Sequence, residues 1–203
     1  MKILGITGNI AAGKSLASSI LAEWGAHVID ADTIVHTLYQ RGTPVFDAVT
    51  KHFGESITGQ ESIDRTALAT IVFSDRKAMQ QLERIVHPAV GKAIRNHLTA
   101  LAPKTPAVIE AIRLVEGSSA HLIDELWIVT APHNEQLDRL VRRRGYDRAA
   151  AKQRLAAQTN PIDKERAFRA LRPNIPIHYL ENARTIDELR ISIKRSWKAF
   201  LEG

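Results

Sequence analysis

Lys2-Ile3-Leu4-Gly5-Ile6-Thr7-Gly8-Asn9-Ile10-Ala11-Ala12-Gly13-Lys14-Ser15 is the stretch on which the reading of the fold turns. Lys2 to Thr7 is a short, mostly apolar run of strand character. Ser15 to Trp24 reads as a helix, because Leu16, Ile20 and Trp24 recur at i, i+4 and i+8 and Ala17 and Leu21 widen that face. Gly25 stands where a glycine ends a helix. Between strand and helix, Gly8 to Ser15 matches G-x-x-x-x-G-K-[ST] at every fixed position. Each fixed position has a physical reason. Gly8 and Gly13 permit backbone angles and close approaches that a side chain would block. The amides of Gly8, Asn9, Ile10, Ala11, Ala12, Gly13, Lys14 and Ser15 then point into a nest for phosphate oxygens, and the following helix adds its free N–H groups and dipole. Lys14 is placed to reach the outer phosphates and Ser15 to ligate Mg²⁺.

Outward from this loop, four more apolar runs read as strands: His27 to Asp30, Ala107 to Ala111, Leu126 to Ala131 and Pro176 to Leu180. Helical stretches separate them. The segment from Thr43 to Leu101 is mostly helical, with Asp75 capping a helix through Leu82 and Val86 that His87-Pro88 is expected to kink or break. His133 to Arg144 is a helix stopped by Gly145. Asp147 caps another through Gln158, and Asn160-Pro161 restarts a short one. Thr185-Ile186-Asp187-Glu188 is a capping box. It opens a final helix with Ile186, Leu189, Ile193, Trp197 and Phe200 on one face. Strands alternating with helices predict an α/β fold, a five-stranded parallel sheet with helices on both faces. Ligands bind such sheets beyond the carboxyl ends of the strands, which puts Gly8, Asp30, Asp32 and Glu110 on one rim.

The charged residues offer further chemistry, each with a plainer alternative. Strand alternation would send Asp30 and Asp32 to the same side, so that Asp32 could face the terminal phosphate and orient an acceptor hydroxyl or take its proton. Alternatively Asp30 ends the strand and Asp32 caps the next helix, Thr33 to Tyr39. Glu110 either holds Mg²⁺ through water or is a solvated strand end, and Glu116 alone reads as surface. Arg139, Arg142, Arg143, Arg144, Arg148 and Arg154 lie on two consecutive helices, and Arg139 and Arg143 share a face. They form either a lid that closes on phosphate or a solvated basic face.

Composition narrows the setting. With 203 residues, 44% hydrophobic and 25% charged, the chain has enough apolar content for a folded core. It has no cysteine, so disulfides and thiolate metal sites are excluded and nothing argues for an oxidising compartment. No run approaches the ~20 apolar residues of a membrane span, and the N-terminus runs straight into the loop. The expected location is cytoplasmic, with no membrane partner. The net charge of +6 suits polyanions, but the aromatic fraction is only 5% and no aromatic-and-basic stripe stands ready to stack bases. Nucleic acid is therefore not read as the partner.

Taken in order, these landmarks resemble the dephospho-coenzyme A kinases over nearly the whole chain. ILGITGNIAAGKS matches the family's start, and VIDAD at Val28 to Asp32 its second motif, with Asp32 on the catalytic aspartate. RGTPVFDAV, IDRTALATIVFSD and LERIVHPAV resemble its inserted helical acceptor region, about 34–101. QLDRLVRRRGYDRAAAKQRLAAQ resembles its lid, about 139–170, with Gln136, Arg139, Arg143, Arg154 and Gln158 on recurrent positions. LENARTIDEL resembles the loop near the adenine, with Asn182 on the recurrent asparagine.

The resemblance implies a single kinase domain that carries the phosphoryl group from ATP, with Mg²⁺, to the ribose 3′-hydroxyl of dephospho-coenzyme A. Lys14, Asp32 and Arg143 would be catalytic. Gly8 to Leu16, Arg139, Arg143 and Asn182 would bind ATP. Asp32, His87, Glu110 and Glu116 would bind the acceptor, and Ser15 would hold Mg²⁺, with Glu110 acting through water. Where the family usually has D-x-P-L-L-F-E, this chain has Glu110-Ala111-Ile112-Arg113-Leu114-Val115-Glu116. His36 stands where the family often has arginine, and Arg184 where it commonly has glycine. These departures leave open a kinase of another small hydroxyl compound. The basic charge leaves open a nucleotide-binding protein without kinase activity.

Overall fold

The computed structural model describes every residue except Arg184, and every described side chain except those of Glu116 and Ser118. Among the described residues, five strands form one parallel sheet in the order β2-β3-β1-β4-β5. They are β1 (Ile3–Gly8), β2 (His27–Asp30), β3 (Ala107–Glu110), β4 (Glu125–Thr130) and β5 (Ile177–Glu181). The helices are α1 (Lys14–Glu23), α2 (Ala31–Leu38), α3 (Pro44–Phe53), α4 (Arg65–Ser74), α5 (Arg76–Thr99), α6 (His133–Arg144), α7 (Arg148–Ala156), α8 (Pro161–Leu171) and α9 (Ile186–Glu202). The expected fold class is the one observed. None of these helices is long and apolar enough to cross a membrane.

The chain divides into two compact units, Met1–Ile29 with Leu101–Gly203, and Asp30–Ala100. In the first, β1 is central. It pairs with β3 from Ile3↔Ala107 to Ile6↔Glu110 and with β4 from Leu4↔Glu125 to Gly8↔Val129. A sheet covered on both faces must be apolar on both, and Leu4, Ile6, Val108, Trp127 and Val129 on one face and Ala107, Ile109, Leu126 and Ile128 on the other are buried accordingly. Leu4, Ile6, Trp127 and Val129 pack with Ala17, Ile20 and Leu21 of α1 and with Leu189, Ile193, Trp197 and Phe200 of α9.

Two helix faces differ in detail from the periodicity. The buried face of α1 centres on Ala17, Ile20 and Leu21, with Leu16 and Trp24 only partly covered. The α9 face has the expected phase, but Ile186 is 55% exposed. It is the first helical residue after the Thr185 cap, where the helix has not yet reached its packing surface.

The second unit is helical, α2 to α5, with Ile34, Val45, Phe46, Val49, Ile57, Leu68, Val72, Val86, Val90, Ile94 and Leu98 buried. Asp75 caps α5 by accepting from the Lys77 amide at 2.7 Å. The expected break at His87-Pro88 does not occur, and α5 runs through Pro88 for 24 residues. Proline removes one backbone bond, but Val86, Val90, Ile94 and Leu98 continue one buried stripe across it. Packing of both halves outweighs the local defect. Because Pro88 is exposed, Pro88→Ala restores an amide donor without touching the core. We expect it to raise the unfolding free energy by about 1–2 kcal/mol, read from urea denaturation. A decrease would mean that the ring makes a stabilising contact.

Candidate functional site

The phosphate-type loop closes the carboxyl end of β1. Its conformation is unusual for a chain of L residues. Ala11 has φ 59°, the only non-glycine among the described residues with positive φ. Gly13 has φ 104° and caps α1, so the helix begins with no side chain folded over its first amides. A helix N-terminus left open in this way is an anion site by construction. No acidic residue lies in the first turn of α1 to compete for it. Gly8 answers a different demand: a Cβ there would lie 2.3 Å from the carbonyl oxygen of Val129 on the neighbouring strand.

The loop is gripped from its carbonyl side. The Arg139 guanidinium, on α6, donates to the carbonyls of Ala11 at 3.2 Å, Ala12 at 3.4 Å and Asn182 at 3.0 Å. The Asn182 side chain donates to the Ala12 carbonyl at 2.9 Å, and its own amide donates to Thr130 at 2.7 Å. Gln158 accepts from the Ile10 amide at 3.2 Å. Residues from α6, the turn after α7 and the loop after β5 therefore all meet the loop, and β4 supports the last of these through Thr130. Ile10 and Ala11 also pack on Leu137, Leu140, Ala151 and Leu155 of α6 and α7.

Lys14 is 8% exposed at the first position of α1. Ser15 Oγ donates to Glu110 Oε1 at 2.8 Å, which brings the loop hydroxyl and the buried carboxylate of β3 together. Both are hard oxygen donors. That suits Mg²⁺, which keeps several waters and takes a carboxylate or hydroxyl alongside substrate phosphates. Among the described residues no cluster of three or more His, Asp or Glu could hold an ion unaided. Arg143 is exposed in the last turn of α6, one turn beyond Arg139. Arg154 on α7 lies over the Tyr146 ring at 4.7 Å.

Asp32, His36 and His87 belong to the other unit. There the aspartate pair is resolved differently from the expectation. β2 ends at Asp30, so strand alternation does not extend to Asp32. It is Asp30, not Asp32, that caps α2, accepting from the amides of Asp32 at 2.9 Å and Thr33 at 3.2 Å and from the Thr33 hydroxyl at 2.8 Å. Asp32 is exposed in the first turn of α2 and shares a face with His36 one turn on. The Arg65 guanidinium, from the start of α4, contacts both ring nitrogens of His36. Burial pushes the Tyr39 phenol up, and the Arg65 charge opposes it. His87 is half-buried on α5. The expectations for the Glu116 side chain and for Arg184 fall outside what is described.

Thr7 and Lys164 carried no signal in the sequence, yet both are buried beside this rim. A threonine inside a strand and a lysine inside a polar helix read as ordinary, and only the fold brings them together.

A family model for dephospho-CoA kinase matches residues 2–172. The dephospho-CoA kinase of Symbiobacterium thermophilum is 39% identical over 206 residues, covering 100% of this chain and 83% of that protein. That of Geobacter metallireducens is 36% identical over 205 residues, covering 100% and 98%. Among solved structures, one from Thermus thermophilus superposes with a TM-score of 0.78 at 30% identity, covering 98% of this chain and 97% of that one. The dephospho-CoA kinase of Campylobacter jejuni shares the fold, with a TM-score of 0.64 at 23% identity over 100% and 99%.

The loop geometry gives a direct test. A Cβ on Gly13 would meet Asn182 Nδ2 at 2.1 Å, at a φ that L side chains rarely adopt. Gly13→Ala is expected to raise the Kd of a fluorescent ATP analogue at least ~tenfold, since a displaced Asn182 releases the Ala12 carbonyl and the cradle with it. An unchanged Kd would show that the cradle does not depend on this contact.

Proposed function

The chain belongs to the dephospho-CoA kinase family, and we propose how its residues divide the reaction of that family between them. The protein phosphorylates the ribose 3′-hydroxyl of dephospho-coenzyme A with ATP, giving coenzyme A and ADP. The observation that carries our division of labour is the pairing of an open helix start with a buried lysine at its first position.

In this reading the loop from Gly8 to Ser15 and the first turn of α1, as far as Leu16, hold the phosphates of ATP, although the Ile10 amide is engaged by Gln158 and the Ala12 amide by the Asn9 carbonyl. Lys14 stabilises the charge that spreads over the transferring phosphoryl group. Low exposure supports that role, because a cation shielded from water acts more strongly on its neighbours. Ser15 and Glu110 would hold Mg²⁺, Glu110 through water; when bound, the ion screens the phosphate charge. Arg143 is exposed and makes no hydrogen bond or ion pair among the described residues, which supports a role in closing over the phosphates as part of a lid spanning about 139–170. Arg139 reaches the loop carbonyls and the Asn182 carbonyl. It and Asn182 therefore fit a role in shaping the nucleotide site from its outer side.

Asp32 would take the acceptor's proton. The 3′-hydroxyl oxygen attacks the γ-phosphorus, the bond from that phosphorus to the β–γ bridging oxygen breaks, and the proton passes to the Asp32 carboxylate. Support comes from the local fold. Asp30 takes over helix capping, so Asp32 is not needed for that work. Region 34–101, with His87, would receive the rest of the acceptor, and Glu110 would contact it near the rim; the same role expected of Glu116 lies outside the described side chains. A cytoplasmic setting belongs to the same reading, as the family acts in coenzyme A synthesis.

Coupled measurement of ADP release on adding dephospho-coenzyme A to enzyme and ATP tests the reading, and turnover dependent on that acceptor is expected. Asp32→Asn should lower kcat ~10²-fold or more while the Kd of an ATP analogue stays within about threefold. Unchanged turnover would remove Asp32 from the mechanism. Lys14→Ala should weaken both nucleotide binding and turnover, and normal values for both would remove the lysine.

A further inference from the structure

Three charged side chains are buried among the described residues: Lys14, Glu110 and Lys164. The first two have roles above. Lys164 has none, and its position runs against two physical preferences. It is 2% exposed, and an interior ammonium persists only when it is held by partners. It also sits within the first turn of α8, where the helix dipole disfavours a cation. An apolar residue of similar size would commonly serve stability as well or better. Something other than stability accounts for a lysine here.

Its partner indicates what. Lys164 Nζ donates to the Ile112 carbonyl at 2.8 Å, and the Thr7 hydroxyl donates to the same oxygen at 3.0 Å. Thr7 immediately precedes Gly8. Ile112 lies two residues beyond Glu110. One carbonyl thus joins the end of β1, the segment leaving β3 and the first turn of α8. Gln158, six residues before Lys164, accepts from the Ile10 amide, so the chain returning from α7 is attached to the strand rim at two points.

We propose that Lys164 is a positioning residue for phosphoryl transfer: its ammonium anchors the return arm of the lid to the Ile112 carbonyl and fixes the segment that carries Glu110. The proposal rests on the reading of region 139–170 as a lid. The other attachments of α8 do not involve Lys164. Phe168 is wholly buried, and the Tyr179 hydroxyl donates to Glu165 at 2.7 Å. Loss of the anchor therefore leaves the helix docked but its first turn loose. A lid on a loose arm still lets nucleotide enter but no longer settles over it.

The experiment compares wild type with Lys164→Met, Lys164→Gln and Lys164→Arg, after circular dichroism has measured the folded fraction of each. Two readouts are taken: kcat with ATP and dephospho-coenzyme A, and tryptic cleavage between Arg142 and Arg154 with and without a non-hydrolysable ATP analogue and Mg²⁺. For Lys164→Met the expected result is a kcat at least ~tenfold lower, with nucleotide protection of the lid lost and cleavage without nucleotide unchanged. Lys164→Arg should restore protection and most of kcat, because it returns the cation and a donor. If Lys164→Met proves poorly folded, Lys164→Gln keeps the shape and a donor without the charge, and should fall between the other two.

A kcat within twofold of wild type with protection intact overturns the proposal. So does a kcat that falls only in proportion to the folded fraction. The cleavage readout needs no acceptor. Failure of wild type to turn over dephospho-coenzyme A would count against the assigned reaction and not against the anchor.

Discussion

A loop that offers its amides to a ligand must turn its carbonyls the other way, and those carbonyls still need partners. This constraint organises the first unit. Backbone polar groups left unpaired in an interior are costly, and the residues from Asn9 to Ala12, between the β1 ladder and α1, have no helix or strand ladder to absorb them. The chain meets the demand from distant parts of the sequence. Arg139 and Asn182 converge on Ala11 and Ala12, and Asn182 is itself tied back to β4 through Thr130. The cradle is thus shaped from outside, which leaves its inner surface available. The positive φ of Ala11 belongs to the same arrangement, since a sparsely populated backbone geometry persists only where its surroundings hold it.

Much of this was legible because local rules decide it. The loop motif, the caps at Asp75, Asn160 and Thr185 and the stop at Gly145 each rest on a few adjacent residues, and the parallel sheet follows from the plain alternation of strand and helix patterns. Where several segments compete, the sequence was a poorer guide. Pro88 reads as a break, but a helix is also held by what it packs on, and the stripe from Val86 to Leu98 is visible only as a whole. Asp30 and Asp32 are equally good caps by residue type. The end of β2 settles the matter, because the cap must have extended backbone and Asp30 does, at φ −86° and ψ 106°.

The arginines show a subtler limit. Spacing gathers Arg139 and Arg143 on one face, and the family resemblance assigns both to ATP. Yet a guanidinium with five donors serves carbonyls equally well, and burial separates the pair. Arg139 is largely covered and grips backbone, whereas Arg143 is exposed in the last turn of the same helix. Spacing states which side chains share a face but not how deep that face lies. Lys164 is the same limit in reverse. In a stretch as polar as Asp163-Lys164-Glu165-Arg166 nothing marks one charge as interior.

The run from Glu110 to Glu116, where the chain departs most from the pattern it resembles, can be weighed against these contacts. The proline of that pattern is replaced by Ile112, but the atom the fold uses there is the backbone carbonyl, which accepts from Thr7 and Lys164. A carbonyl is present whichever residue occupies the position, proline included. The lost apolar position is Arg113, which is exposed, whereas Leu114 and Val115 remain buried. The Arg113 side chain therefore lies outside the buried packing, and Ile112 is only partly covered. The acidic group at 110 is kept, and its carboxylate meets Ser15. A segment can drift in this way when its fixed points are a carbonyl, two buried apolar residues and one carboxylate. Comparing side chains alone overstates how far such a site has changed.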